Sequence, residues 1–146
     1  MLKALYKRTQ DDKGFTLIEL MVVVLIIAIL IAIAIPTFLG MRRRAQDRAA
    51  QSDLRNALTA AKAFYTDGET FTGFAAEAPN IEPSLTWNED AAASQGQVSI
   101  RDADDDGVVL ATESASGTLF CAGDNAGQNV FGEVDAATVG DCVGGW

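Results

Sequence analysis

The chain has 146 residues, a formal net charge of −9 and no histidine. The missing imidazole excludes a Ser-His-Asp or Cys-His arrangement within the chain and any His-ligated metal. Twenty acids against eleven bases make a poor general binder of phosphate backbones, so no specific nucleic-acid partner and no enzyme are expected.

In chain order, residues 1–14 are a short charged leader carrying Lys3, Lys7, Arg8 and Lys13 before Gly14. Phe15 follows, Glu19 stands four residues later, and Leu20 to Ile35 is an unbroken apolar run. It continues to Leu39 with only Pro36 and Thr37 interposed, long enough to cross a ~30 Å hydrocarbon core. It is too long for the apolar part of a secretory signal peptide, and no small-residue cleavage site follows it. Residues 15–40 therefore read as a retained transmembrane anchor with a cytoplasmic leader. Basic residues do not orient the span, because Arg42, Arg43, Arg44 and Arg48 follow it as closely as four bases precede it. Cys121 and Cys142 are the only cysteines and are spaced to close a loop. Pairing suits an oxidising, extracytoplasmic side; two free buried thiols are the alternative. The reading is N-terminus in, C-terminus out.

The segment Lys13-Gly14-Phe15-Thr16-Leu17-Ile18-Glu19-Leu20, leading into the apolar run, resembles the N-terminus of type IV pilins and pseudopilins, the subunits of bacterial surface filaments. The resemblance implies cleavage between Gly14 and Phe15 by a prepilin peptidase and N-methylation of the new terminal Phe15. It implies a single-pass protein of the cytoplasmic membrane that polymerises into an extracellular pilus serving adhesion or motility. Its partners would be other copies of itself, the prepilin peptidase/methyltransferase, the inner-membrane assembly machinery, and the membrane before assembly. Glu19 and Pro36 take assembly roles by the same resemblance: Glu19 of one chain meets the Phe15 amine of another and sets register, and the helix around Pro36 melts on packing. The physics agrees for Glu19, since an acid deep in hydrocarbon costs about 2.5–3.5 kcal/mol or more and needs a partner. The plainer reading is an acid at the cytoplasmic rim of the bilayer.

Residues 41–66 read as an amphipathic helix continuing the spine. Arg42 to Thr66 contains no Gly or Pro, and Leu54, Leu58, Ala61 and Phe64 or Tyr65 recur at helical spacing. An unbroken helix from Phe15 to Thr66 would be about 78 Å long, with Asp67-Gly68 as its stop. Pro36 lacks an N–H and should kink or loosen it. The arginines after the span should snorkel to lipid headgroups before assembly; in a filament they would need carboxylates, Asp47 or Asp53 of neighbouring stems being nearest by sequence.

Residues 67–146 read as an acidic extracytoplasmic head, with Arg101 its only base against fifteen acids. Asp67 to Gln95 looks irregular, broken by Gly68, Gly73, Pro79 and Pro83, with Phe71, Phe74 and Trp87 covering the junction of helix and sheet. Val98–Ile100, Gly107–Thr112, Gly117–Cys121 and, more weakly, Asn129–Val134 read as antiparallel strands. The expected fold class is α+β, a long spine helix packed on a small antiparallel sheet, which is also the architecture the resemblance implies. The Gly-rich loop between the cysteines has little core of its own; by resemblance it is an exposed surface for subunit contact and adhesion.

Asp102, Asp104, Asp106 and Glu113 fit the spacing of a calcium loop, D-x-D-x-D-G-x5-E. Leu110 at a ligand position and strand-like flanks oppose it, and a hairpin turn explains the same residues. No cofactor is expected, calcium being the one candidate. The competing functions are a pseudopilin of a type II secretion or DNA-uptake machine, and an anchored adhesion or calcium-binding module that never polymerises.

Overall fold

The computed structural model describes residues 14–146; the leader, apart from Gly14, lies outside the described residues. The chain divides into two compact units, one ending at Gly40 and the other running Met41–Trp146.

In the first unit the apolar run is helical, the opening part of α1 (Leu17–Gly68). β-branched Val and Ile are modest helix formers in water, but a helix satisfies every backbone group within itself, which hydrocarbon demands. No residue from Gly14 to Gly40 is buried. The helix is not broken at Pro36; just beyond it the Thr37 hydroxyl donates to the Ile33 carbonyl (3.1 Å).

The second unit holds the core. The later part of α1 turns Ala50, Leu54, Ala57, Leu58, Ala60 and Ala61 inward, at the three- and four-residue spacing of one helix face. They pack with Val98, Ile100, Val108, Leu110, Phe120 and Ala122 of the sheet. Burying each large member contributes about 1.5–3 kcal/mol. Small alanines alternating with leucines let the helix lie close to the strands.

A second helix, α2 (Phe74–Ile81), occupies the stretch expected to be irregular, and Pro79 lies inside it rather than breaking it. The reason is tertiary. Phe74 and Ala78 are buried on its inner face, and Phe74 meets Phe64 at 5.7 Å and Trp87 edge-on at 5.6 Å. That packing outweighs the propensity cost in one short element.

The sheet has five strands in sequence order: β1 (Trp87–Glu89), β2 (Val98–Ala103), β3 (Gly107–Glu113), β4 (Leu119–Asn125) and β5 (Gln128–Gly132). It is mixed rather than wholly antiparallel, because β1 pairs parallel to β2; the later pairs are antiparallel. Central β3 is apolar on both faces. Val108 and Leu110 join the α1 cluster, while Val109 joins Cys121, Ala136 and Cys142 on the other side. The C-terminal loop is therefore a second cover for the sheet, not only a surface loop. Its tail closes tightly over β5, where Gly132 bridges to Gly144 and a Cβ on Gly132 would fall 2.4 Å from the Val143 carbonyl. Trp146 ends the strap. Its indole N–H donates to the Cys121 carbonyl (2.9 Å), its ring meets Phe131 edge-on at 4.9 Å, and the Arg55 guanidinium lies 4.7 Å above it.

Candidate processing and assembly site

Gly14, Phe15 and Thr16 precede the first helical turn in non-helical backbone, and all three are exposed. Phe15 is 90 % exposed. The Gly14–Phe15 bond, where cleavage is expected, lies in exposed, non-helical backbone, the kind of segment in which proteolysis concentrates.

Thr16 and Glu19 form a capping box. The Thr16 backbone N–H and hydroxyl both donate to Glu19 Oε2 (2.9 and 2.8 Å), and the Glu19 N–H donates to the Thr16 hydroxyl (3.3 Å). The T-x-x-E signature ahead of an apolar run was readable in the sequence, so Thr16 is a site residue the sequence reading overlooked. The Glu19 carboxylate thus satisfies the Thr16 N–H and hydroxyl within its own chain.

From Phe15 to Met41 large apolar side chains are exposed; Phe15, Leu17, Ile18 and Ile33 each leave about two thirds or more of their surface uncovered. α1 is long and apolar enough to cross a membrane. Such a continuous apolar surface is far larger than a monomer keeps in water.

Just past this surface stand the exposed Arg42, Arg43, Arg44 and Arg48. Asp47, one of their expected partners, is already engaged. Its Oδ1 accepts hydrogen bonds from the hydroxyls of Ser114 (2.7 Å) and Ser116 (2.5 Å), tying α1 to the β3–β4 turn. Asp53 joins no salt bridge among the described residues, and partial burial holds its carboxyl above the ordinary carboxylate value. Deeper in the head, Lys62 pairs with the buried Asp124 at 3.0 Å. None of these hydroxyl and ion partners was legible beforehand, because each joins residues far apart in sequence.

Cys121 and Cys142 are bonded, with Cα atoms 5.8 Å apart. The calcium set, in contrast, does not converge. Asp102 lies in β2 opposite Val109. Asp104 Oδ1 accepts the N–H groups of Asp106 (2.9 Å) and Gly107 (2.7 Å) in a tight turn. Glu113 ends β3, about 20 Å of strand away from that turn. Among the described residues no group of three or more His, Cys, Asp or Glu is placed to hold a metal ion. Strand pairing overrides the ligand spacing. The melting temperature of a 41–146 fragment should therefore barely differ between chelator and millimolar calcium. A rise of several degrees that vanishes in an Asp104→Asn/Asp106→Asn variant would contradict this geometry.

A bare apolar helix at one end of the chain and a disulfide-closed α+β unit at the other define a class of subunit built to anchor and then associate. Residues 10–35 match the family model described as the prokaryotic N-terminal methylation motif. The type IV major pilin protein PilA of Myxococcus xanthus is 40% identical over 97 residues, 64% of this chain and 43% of that protein. The type IV major fimbrial protein FimA of Dichelobacter nodosus is 38% identical over 110 residues, 69% of this chain and 70% of that protein. The type II secretion system core protein G of Escherichia coli K12 is 40% identical over 55 residues, 36% of this chain and 38% of that protein. The chain spans less than half the length of the Myxococcus relative; no solved structure matches. Matched over most of both chains to the Dichelobacter fimbrial protein, this chain belongs to the type IV pilin family.

Proposed function

We propose that this protein is a structural pilin and not an enzyme. It is cut between Gly14 and Phe15 by a prepilin peptidase and methylated on Phe15. It is held in the cytoplasmic membrane by residues 15–40 and then polymerised by inner-membrane machinery into a type IV pilus. The reading assigns residues 41–66 to the continuing spine and residues 67–146 to the exposed head, with no cofactor. One observation carries it: the first unit exposes an unbroken apolar helix surface, while the core lies wholly within the second. Lipid covers such a surface before assembly, and only the same surface on other copies offers an equivalent cover once lipid is left behind. Pro36 breaks one backbone bond there and supplies a place for the helix to loosen on packing.

Mass measurement of the protein recovered from sheared surface filaments should give Phe15 as the first residue, carrying one methyl group. Filaments whose subunits begin at Met1 would defeat the prepilin reading. A pseudopilin role is the second reading, favoured by the match to the secretion-system protein over 36% of this chain. Long surface filaments at native expression would decide for the pilus; only short or no surface filaments, with impaired secretion on deletion, would decide for the pseudopilin.

A further inference from the structure

The four exposed arginines at the start of the packed unit have no acid of their own. None comes within 4.0 Å of a carboxylate among the described residues. Glu133 lines the same cleft as Arg44 and Arg48 yet pairs with neither. Two half-buried acids stand on the same stretch of α1. Asp47 has Oδ1 taken by two hydroxyls, while Oδ2 has no partner among the described residues. Asp53 meets no cation among the described residues. Its raised folded-state value means that the fold is favoured as pH falls through that value and disfavoured as the carboxyl ionises above it. At neutral pH the lone subunit thus carries a charge that its own fold leaves uncompensated. Cations without acids and an acid without a cation lie on one helix.

We propose that the arginine band of one copy docks on the stem acids of a second, parallel copy, Arg48 on Asp53 and Arg43 on the open oxygen of Asp47. Asp53 lies five residues after Arg48 and Asp47 four after Arg43. One stagger of about 6–8 Å along the helix therefore serves both pairs. Phe15 and Glu19 are offset by the same four residues in the same direction, so the pairing expected at the N-terminus and these two pairs ask for one displacement. The inference rests on the filament reading above. A contact in which one surface of each copy meets a different surface of the next does not close on itself and propagates as a filament. Guanidinium forks suit carboxylates and shed water more readily than ammonium groups, which favours pairs that assembly desolvates.

The test uses full-length protein in cells: Arg48→Asp, Asp53→Arg, the double reversal and Asp53→Asn, each read as sheared filament yield and as total subunit in the membrane. Each single reversal should lower filament yield about tenfold at unchanged subunit level, and the double reversal should recover to within about twofold of wild type. Asp53→Asn should also lower yield while leaving the melting temperature no lower than in wild type, since partial burial makes that charge a cost to the lone fold. Wild-type yields from the single reversals, or a double reversal no better than either single, overturn the pairing. So does loss of Arg48→Asp subunit from the membrane whatever stands at position 53, which would give the arginines to lipid headgroups. Failure of the unmutated chain to form filaments overturns this pairing and the filament reading together, whereas the other outcomes strike the pairing alone.

Discussion

Replacing Glu19 with glutamine is expected to lower filament yield about a hundredfold while leaving the head as stable as before. The glutamine is chosen for what it preserves. Its side-chain carbonyl can still accept from the Thr16 N–H, so the capping box seen here survives. Only the charge is lost. If Glu19 serves chiefly as a cap, Glu19→Gln should assemble normally, and Thr16→Ala should cost about 1 kcal/mol of helix stability. If Glu19 neutralises an α-ammonium in an apolar bundle, the lost interaction is on the scale of an unpaired intramembrane charge, about 2.5–3.5 kcal/mol, or roughly a hundredfold per subunit added. Filament yield from Glu19→Gln, Glu19→Ala and Thr16→Ala strains separates the two roles. Normal yield from the glutamine variant would leave only the cap. The head should melt unchanged in all three, because every buried residue among those described lies within Met41–Trp146.

The second large effect concerns the disulfide. A Cys121→Ser/Cys142→Ser variant should lose about 3 kcal/mol for a loop of this length in the chain-entropy model. For a unit of about a hundred residues that is roughly 10–20 °C in melting temperature. The structure gives two reasons to expect the upper part of that range. Both cysteines are buried in the cluster behind Val109, so serines there would leave polar groups among apolar neighbours. The same loop carries the strap that seats Trp146 against Phe120, Phe131 and Arg55. Calorimetry of the 41–146 fragment measures the shift. A loss under about 3 °C would mean that Trp146 and the Gly132–Gly144 bridge hold the loop without the covalent link.

Taken by itself, the sequence determined what is local or periodic. The apolar run at 20–39 dictates a lone helix with no polar face, because only Thr37 interrupts it with a polar side chain. The Leu54-Leu58-Ala61 repeat placed the buried stripe of α1, and Asp67-Gly68 its end. Alternation in Gly107–Thr112 marked the central strand. The N-terminal motif needed no fold at all, since its residues are contiguous.

Tertiary structure decided whatever depends on residues distant in sequence. Helix α2 exists because Phe74 and Ala78 find a cover in Phe64 and Trp87. The parallel β1 edge cannot be read from pattern, since alternation does not encode strand direction. Asp47 turns one carboxylate oxygen to the Ser114 and Ser116 hydroxyls, more than sixty residues away. Asp102 and Glu113 obey a calcium spacing in one dimension, but pairing of β2 with β3 sets Asp102 opposite Val109, four strand residues short of Glu113. In each case the local signal was weak or ambiguous, and burial of apolar surface by distant partners tipped the balance.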